Sequence, residues 1–321
     1  MKRKIGVVTS GGDAPGMNAA IRAIVRRAVP KNLEVLGFKR GYAGLLNNEV
    51  MPLGLRTVGG IIHLGGTILR TERCPEFATG EGIEKASEIL KNHRIEALLV
   101  IGGDGSFKGA LELHRVSGIQ VIGIPATIDN DVAGTDTTIG FDTAVNTAVQ
   151  AIDRIRDTAM SHGRVFVIEV MGRKRGFLAL EVGLTAGAEV ILVPEIERDI
   201  DSICRTLIRS RKKEKEYSIV VVAEGFGDSA KIRDMINKRT GFETRLTILG
   251  HIQRGGSPTA RSRLIASLFG SYAVDKVLES DESGVVGLQD EKIVFNDLEQ
   301  VIKEEKPLNT ELLRLAEELA I

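Results

Sequence analysis

The feature that most constrains the fold is a series of short β-branched runs, each of which ends at or near glycine or proline. They read IGVVTS, LEVLGF, ALLVIGG, VIGIPA, VFVIEVMG, VILVPE, IVVVAEG and TRLTILG. Amphipathic stretches at helical spacing, such as MNAAIRAIVRRAV and EGIEKASEILKNH, lie between most of them. Continuous apolar strands that alternate with helices are typical of parallel sheets covered on both faces. The chain is therefore predicted to be an α/β protein with functional residues at the carboxyl ends of its strands.

A long helical stretch divides this series of strands. It reads TAVNTAVQAIDRIRDTAMSH and occupies residues 143–162. The 321 residues of the chain are enough for two α/β domains or for one large domain. Strands before and after the helix are consistent with two separate sheets.

Composition restricts the class of partner. Lys plus Arg number 43 and Asp plus Glu number 43, so the formal net charge is zero. Nucleic acid and anionic membranes attract proteins with a large positive surplus. Tryptophan is absent and aromatic residues make up only 4% of the chain, which leaves few side chains for stacking on bases. Neither nucleic acid nor a membrane is therefore expected as a partner.

Cysteine usage and the N-terminus predict a cytoplasmic location. Cys74 and Cys204 lie far apart and outside any CxxC pattern, so they are interpreted as free thiols in a reducing compartment rather than metal ligands. The opening stretch MKRKIGVVTSGG reaches serine and glycine too early for the apolar core of a signal peptide. No apolar stretch approaches the roughly 18 residues of a membrane span.

The first candidate functional stretch is SGGDAPGMNAAIR, residues 10–22. A predicted strand runs into Gly11 and Gly12, and a helix is expected to open near Pro15. Glycine lets the backbone approach a ligand closely, and a helix N-terminus offers unpaired N–H groups to a phosphate. The stretch matches neither GxxxxGK[ST] nor GxGxxG. Taken alone, it is about equally consistent with a phosphate site and with a structural turn.

The second stretch is IGGDGS, residues 101–106, which again follows an apolar strand and precedes a helical pattern. Its glycines allow a tight turn around a phosphate, and Asp104 has the chemistry to hold Mg²⁺ directly or through water. A GGDG turn after a strand also occurs in kinases of NAD, lipids and sphingoid alcohols. The turn therefore indicates phosphoryl transfer more firmly than it indicates a substrate.

The third stretch is PATIDND, residues 125–131, directly after the run VIGI. Thr127, Asp129 and Asp131 alternate, so an extended segment is predicted to project them to one side. One of these carboxylates has the chemistry to accept a proton from an attacking hydroxyl. The competing interpretation is a turn rich in Asp and Asn.

The fourth feature is basic. Arg164 precedes the run VFVIEV and Arg173 follows it, while RLTILGHIQRGGSP carries Arg245, His251 and Arg254 around a strand end and a glycine turn. The guanidinium fork suits phosphate better than any other side chain does. An isolated histidine is more often structural, but one between two arginines in a glycine-rich turn favours a binding role.

Seven stretches together resemble one family. SGGDAPGMNAAIR, IGGDGS, P-x-TIDND, GTD-x-TIGF, EVMGR, AEG and LGHIQRGGSP, in this order and spacing, are similar to the bacterial ATP-dependent 6-phosphofructokinases over essentially the whole chain. The resemblance implies two Rossmann-like three-layer α/β domains with mostly parallel sheets. It implies an ATP-binding domain of residues 1–139 plus 253–304, and a fructose 6-phosphate-binding domain of residues 140–252 plus 305–321.

The resemblance also implies the reaction and its residues. The family uses Mg²⁺ and transfers the γ-phosphoryl group of ATP to the 1-hydroxyl of fructose 6-phosphate, the committed step of glycolysis. It implies Asp129 as general base, with Gly12, Thr127, Asp131, Met171, Gly172 and Arg173 around the phosphoryl group and the reacting end of the sugar. Nucleotide and Mg²⁺ contacts are implied at Gly11, Arg73, Cys74, Gly103, Asp104, Gly105 and Ser106. Glu224 is implied to bind sugar hydroxyls, and Arg164, Arg245, His251 and Arg254 the 6-phosphate.

Assembly and regulation are implied in the same way. The family forms homotetramers in which a neighbour donates the positions that match Arg164 and Arg245. An effector site for ADP or phosphoenolpyruvate is implied at Arg22, Arg26, Arg56, Arg156, Glu189, Lys213 and Lys215. Ser262 stands where the family pattern has Asp, which is interpreted as a local surface change.

Three alternatives remain at this point. A pyrophosphate-dependent relative has Asp at the position of Gly105 and Lys at the position of Ala126, so these small residues favour ATP. A kinase of another small alcohol with a GGDG turn has no need of the Arg–His–Arg cluster. A silent nucleotide sensor has no need of Asp129, Asp131 and Arg173, which would cost stability without serving binding.

Overall fold

The computed structural model describes residues 3–213 and 216–320. Its strands are, in chain order, β1 (Arg3–Thr9), β2 (Leu33–Phe38), β3 (Val50–Pro52), β4 (Ile95–Gly102), β5 (Gln120–Thr127), β6 (Ile139–Gly140), β7 (Val165–Val170), β8 (Val190–Leu192), β9 (Ser218–Ala223), β10 (Thr244–Ile248), β11 (Gly284–Gln289) and β12 (Lys292–Asp297). Its helices are α1 (Met17–Ala28), α2 (Gly41–Leu46), α3 (Gly80–His93), α4 (Asp104–Ser117), α5 (Phe141–His162), α6 (Phe177–Thr185), α7 (Ile200–Lys212), α8 (Ser229–Thr240), α9 (Ala260–Glu279), α10 (Leu298–Lys303) and α11 (Thr310–Leu319).

The chain divides into two compact units. The first comprises the residues up to Thr143 together with Arg254–Lys306, and the second comprises Ala144–Gln253 together with the residues from Pro307 onward. The chain therefore leaves the first unit within α5, returns to it at Arg254, and leaves it again after Lys306.

The sheet of the first unit has the strand order β12-β11-β5-β4-β1-β2-β3, with β6 paired to the end of β5. Strands β2, β1, β4, β5 and β11 run parallel, whereas β3 and β12 pair antiparallel at the two edges. The central strands are buried and mainly apolar beyond their first residues, as expected for a parallel sheet that helices cover on both faces. The carboxyl ends of β1, β4 and β5 consequently lie side by side.

The sheet of the second unit has the order β10-β7-β9-β8 and is entirely parallel. Val167, Val220 and Val222 of its central strands lie in a core that α7 and α8 also supply. The prediction that strands before and after the long helix form separate sheets is correct for β1–β6 and for β7–β10. Strands β11 and β12 return to the first sheet.

Two local interpretations are wrong. Strand β5 ends at Thr127, and Asn130 has φ +53°, so the segment is not extended through Asp131 and alternation does not place its side chains on one face. Ser262 is only 1% exposed, and its hydroxyl lies 2.8 Å from the Thr143 hydroxyl. The replacement of the family's Asp by Ser at this position is therefore buried and not a surface change. No helix among the described residues is both long and apolar enough to cross a membrane.

Candidate active site

The turn after β1 is joined to the end of β4. Gly11 has φ +85°, a left-handed conformation that favours glycine. The Ser10 N–H donates to the Ile101 carbonyl of β4 over 3.0 Å, and the Thr71 hydroxyl donates to the Gly11 carbonyl over 2.6 Å. The structure therefore brings together the Gly11 turn, the end of β4 and the segment that carries Arg73.

Arg254 occupies the space beside Gly12. A Cβ added to Gly12 would lie 2.1 Å from Arg254 Nη1, so any side chain there would displace the guanidinium. The same nitrogen lies 3.9 Å from the Asp13 carboxylate. Arg254 Nε is buried, and no acceptor for it is found in the part of the chain that the structure describes. A buried guanidinium N–H in this position is ready to bind an anion.

The GGDG turn opens α4. Gly103 is the N-cap residue in an extended conformation, and its carbonyl accepts the N–H of Ser106 over 2.9 Å. Ser106 is buried, whereas a Cβ built on Gly105 would have no atom within 4 Å. The N-terminus of a 14-residue helix therefore lies beside an open space at Gly105, an arrangement that suits a phosphate.

Asp104 is the first residue of α4 and the candidate Mg²⁺ ligand. Its carboxylate lies 2.7 Å from Lys108 Nζ, and its side chain is 39% exposed. Mg²⁺ in kinase sites is usually held by one or two carboxylates together with substrate phosphates and water. A single accessible carboxylate beside a helix N-terminus fits that donor set.

Sequence reasoning missed Tyr42, which supports the same turn. Its hydroxyl donates to the Ser106 carbonyl over 2.6 Å, and its ring stacks on Phe77 with centroids 3.7 Å apart. Burial raises the pKa of Tyr42, so the phenol remains protonated and remains a donor. The only available signal was that a buried tyrosine needs a partner for its hydroxyl.

Arg73 and Cys74 lie in the loop segment before α3. Arg73 is exposed, Cys74 is half-buried, and the Cys74 carbonyl accepts the N–H of Phe77 over 3.2 Å. Phe77, whose ring stacks on Tyr42, therefore also anchors this segment.

The end of β5 carries the candidate base. Thr127 closes the strand, and its hydroxyl oxygen accepts the N–H of Asp129 over 3.1 Å. Asp129 is 2% exposed and Asn130 is 5% exposed, whereas Asp131 is half-buried. The turn interpretation is thus correct for the backbone, but a nearly fully buried carboxylate is not the solvated side chain of an ordinary turn.

In the second unit, Arg173 and Glu224 meet at the carboxyl ends of neighbouring strands. Gly172 has φ +137° and Arg173 has φ +51°, so the chain turns sharply after β7. The Arg173 N–H donates to Glu224 Oε1 over 2.5 Å, and the Met171 N–H donates to Gln253 Oε1 over 3.4 Å. The bond from the Arg173 backbone fixes Glu224, and the Arg173 side chain is exposed.

Two of the candidate phosphate arginines share one carboxylate. Arg164 Nε lies 2.9 Å from Glu243 Oε2, and Arg245 also hydrogen-bonds Glu243. The contact with the Arg164 guanidinium is the main reason that the pKa of Glu243 lies below its ordinary value. Glu243 was not singled out from the sequence, although its place two residues before Arg245 was a signal. His251 is exposed in a short 3-10 helix, Gly250–Arg254.

The candidate effector residues occur in both units. In the first unit, Arg22 and Arg26 lie four residues apart in α1, and Arg56 is exposed. In the second unit, Arg156 donates hydrogen bonds to the Ala186 carbonyl and to the Tyr217 hydroxyl.

A cavity of about 240 Å³ in the second unit is lined by two further candidates, Glu189 and Lys213, and by Arg198 and Arg209. Glu189 is 3% exposed, and its Oε2 accepts the N–H of Ile219 over 2.5 Å. The remaining candidate, Lys215, lies outside the described residues.

Comparison with known sequences agrees with the resemblance noted above. A family model described as phosphofructokinase matches residues 4–277. The chain is 53% identical over 319 residues to the ATP-dependent 6-phosphofructokinase of Halalkalibacterium halodurans, covering 99% of this chain and 100% of that one. It is 53% identical over 318 residues to the ATP-dependent 6-phosphofructokinase of Clostridium tetani, covering 99% of each chain.

Solved structures agree at the level of the fold. Phosphofructokinase from Saccharomyces cerevisiae superposes with a TM-score of 0.92 at 35% identity over the whole chain, which spans 48% of the yeast chain. A pyrophosphate-dependent phosphofructokinase from Marinobacter aquaeolei superposes with a TM-score of 0.85 at 24% identity, over 96% of this chain and 86% of that one. The predicted α/β architecture with mostly parallel sheets is confirmed. With a matching family model and relatives of this identity along nearly its full length, the chain belongs to the phosphofructokinase family.

Proposed function

We propose that the protein transfers the γ-phosphoryl group of ATP to the 1-hydroxyl of fructose 6-phosphate, giving fructose 1,6-bisphosphate and ADP in glycolysis. The observation that carries the proposal is the burial of Asp129, which is 2% exposed and lies two residues after the end of β5, in the sheet whose strands β1 and β4 lead into the Gly11 and GGDG turns. The relatives named ATP-dependent 6-phosphofructokinase support the choice of reaction.

In the proposed mechanism, Asp129 accepts the proton of the sugar hydroxyl as it attacks. Thr127 holds the Asp129 backbone through its hydroxyl, which keeps the carboxylate in place. Gly12 and Asp131 in the first unit, and Met171, Gly172 and Arg173 in the second, belong to the same step. Arg173 is proposed to offset the charge of the transferring group, the effect that dominates phosphoryl-transfer catalysis.

The nucleotide is proposed to bind at the start of α4. Gly11, Arg73, Cys74, Gly103, Gly105 and Ser106 are the proposed contacts, and Asp104 is the proposed ligand of Mg²⁺. The metal, when bound, would neutralise charge on the nucleotide phosphates. The open space beside Gly105 and the buried, uncharged Ala126 support ATP rather than pyrophosphate as the donor.

The sugar is proposed to bind through Glu224 at its hydroxyls and through Arg164, Arg245, His251 and Arg254 at its 6-phosphate. The protein is proposed to act as a homotetramer in which Arg164 and Arg245 serve a neighbouring subunit. ADP or phosphoenolpyruvate is proposed to regulate it through Arg22, Arg26, Arg56, Arg156, Glu189, Lys213 and Lys215.

A coupled assay tests the proposal. The purified protein is given fructose 6-phosphate, Mg²⁺ and either ATP or pyrophosphate, and fructose 1,6-bisphosphate is measured. ATP-dependent product with little product from pyrophosphate is expected. Efficient turnover with pyrophosphate would overturn the donor assignment, and absence of product with either donor would overturn the reaction.

A further inference from the structure

The loop that follows the candidate base is closed by a bond between its two ends. Asn130 Nδ2 donates to the Asp136 carbonyl over 3.2 Å. Asn130 adopts φ +53° and stands between Asp129 and Asp131, so this bond determines the direction in which the chain leaves the base. Asparagine tolerates this left-handed conformation better than most residues, and the bond to the Asp136 carbonyl fixes its side chain.

The far end of the loop is fastened to the hairpin formed by β11 and β12. The Asp136 N–H donates to the Leu288 carbonyl over 2.7 Å, and the Asp290 N–H donates to Asp136 Oδ2 over 2.9 Å. The Leu288 N–H donates to the Thr135 hydroxyl over 3.0 Å. These bonds fix Asp136 to the hairpin of the first unit. Asn130 is held in turn by its hydrogen bond to the Asp136 carbonyl.

Lys306 meets the same carbonyl from the end of the first unit. Its Nζ donates to the Asp136 carbonyl over 2.9 Å, so this oxygen accepts from both Lys306 and Asn130. The carboxylates of Asp136 and Asp131 face the ammonium group and favour its charge. Burial opposes them more strongly and lowers the pKa of Lys306 to about 8.

We propose that Lys306 is a positioning residue for phosphoryl transfer, which holds the 128–136 loop so that Asp129 keeps its orientation. The proposal rests on the proposed function of Asp129. A charged donor on the Asp136 carbonyl is stronger than a neutral one, and it adds an attraction to the Asp131 carboxylate that Asn130 cannot supply. Lys306 touches neither the sugar nor the nucleotide in this role, because it acts through the loop backbone.

The first test compares Lys306→Met with Lys306→Arg. A misplacement of about 1 Å can reduce a rate by about a hundredfold, so kcat of Lys306→Met is expected to fall roughly ten- to a hundredfold. KM for ATP and fructose 6-phosphate is expected to stay within about twofold, since Lys306 binds neither. Lys306→Arg, which retains a charged donor, is expected to recover most of the loss. The matched control is Lys303→Met, which removes an exposed lysine paired with Glu299. Unchanged kcat in Lys306→Met, or an equal loss in the control, would overturn the proposal.

The pH profile gives a second readout. Lys306 is charged below its pKa of about 8 and loses its proton above it, so wild-type kcat is expected to decline as the pH rises past about 8. Arginine remains protonated across this range, so Lys306→Arg is expected to shift that decline to higher pH. The same decline in both proteins would contradict the role of the Lys306 charge.

Hydrogen exchange separates this proposal from the proposed function. Without any substrate, the amides of residues 128–136 are expected to exchange faster in Lys306→Met than in wild type, and unchanged in Lys303→Met. Should Lys306→Met not fold, Lys306→Gln, a neutral donor, is measured in the same way. Unchanged exchange overturns the positioning role even if the enzyme is active. Faster exchange in a protein with no kinase activity would leave the loop contact standing and overturn the proposed reaction.

Discussion

The two units of the molecule present their candidate phosphate-binding groups in different ways. The first unit relies mainly on the main chain at glycine turns, those of Gly11 and of Gly105 at the start of α4, to which Arg254 adds a guanidinium with a buried Nε. The second unit uses charged side chains, with Arg164 and Arg245 both bound to Glu243. A backbone site is set by the path of the chain, whereas a side-chain site is set by residue identity and by the partner that holds it.

This difference predicts which kinds of substitution should impair phosphate binding in each unit. A backbone site is blocked by adding atoms, since the N–H groups remain but the space beside them is lost. A side-chain site is lost by removing atoms, while the backbone below it is unaffected. Three substitutions test this contrast, Arg245→Ala, Gly105→Asp and Gly105→Ala. Asp129→Asn tests the proposed base, and Arg26→Ala tests the proposed effector site.

The largest effect is expected for Asp129→Asn. Removing a general base typically lowers the rate by about 10²–10⁴-fold, and the amide has nearly the same shape as the carboxylate. Turnover is therefore expected to collapse while calorimetry still detects fructose 6-phosphate binding. Glu84→Gln, an exposed carboxylate of α3, is the control and should leave kcat unchanged. Near-normal turnover in Asp129→Asn would remove Asp129 from the mechanism.

The next effect concerns the side-chain site. Arg245→Ala is expected to weaken fructose 6-phosphate binding by about 2–3 kcal/mol, roughly 30- to 150-fold, because a charged partner of the phosphate is lost. KM for ATP should change little. Arg239→Ala is the control, since Arg239 is likewise exposed and paired with a carboxylate, Asp201. Weaker ATP binding with normal sugar binding would reverse the two roles.

Mixing subunits extends the test of Arg245. If a neighbour receives this arginine, Arg245→Ala and Asp129→Asn subunits are expected to regain part of the activity when assembled together, measured at a fructose 6-phosphate concentration too low to support the Arg245→Ala protein alone. No recovery in verified mixed assemblies would argue that each subunit uses its own arginine.

The backbone site is tested by Gly105→Asp and Gly105→Ala. No atom lies within 4 Å of the Cβ position, so both proteins are expected to fold. Like charges at about 4 Å in a site of intermediate dielectric repel by a few kcal/mol, so Asp is expected to raise KM for ATP by about 10- to 100-fold. Alanine should have a much smaller effect, which separates charge from bulk. Equal ATP kinetics in wild type and Gly105→Asp would place the nucleotide elsewhere.

The smallest effect on catalysis is expected for Arg26→Ala. Arg26 is exposed in α1 and proposed to contact an effector phosphate, so the response to ADP or phosphoenolpyruvate should weaken several-fold while kcat is preserved. The neighbouring Arg27 is bound to Asp275 by two hydrogen bonds of 2.8 Å, which makes Arg27→Ala the matched control. Equal loss of the effector response in both variants would point to helix stability rather than contact.

Local patterns in the sequence determined the alternation of apolar strands with amphipathic helices, because burial between two helical layers demands continuous β-branched runs. They also marked the glycine turns after β1 and β4, where a backbone approaches a ligand closely. The roles that the sequence assigns to the site residues stay predictions, which the substitutions above test.

Only the tertiary structure decided which distant groups meet. Tyr42 bonds the Ser106 carbonyl 64 residues away, and Lys306 bonds the Asp136 carbonyl 170 residues away. It also decided that β5 ends at Thr127 and that the Asn130 backbone is left-handed. The side chains of Thr127, Asp129 and Asp131 therefore do not share one face, although their alternate positions in the sequence suggest that they do. Periodicity reports how a residue relates to its neighbours in the chain. The partner of a buried hydroxyl or ammonium group depends on how the strands and loops of the folded unit are packed together, and no local pattern records that arrangement.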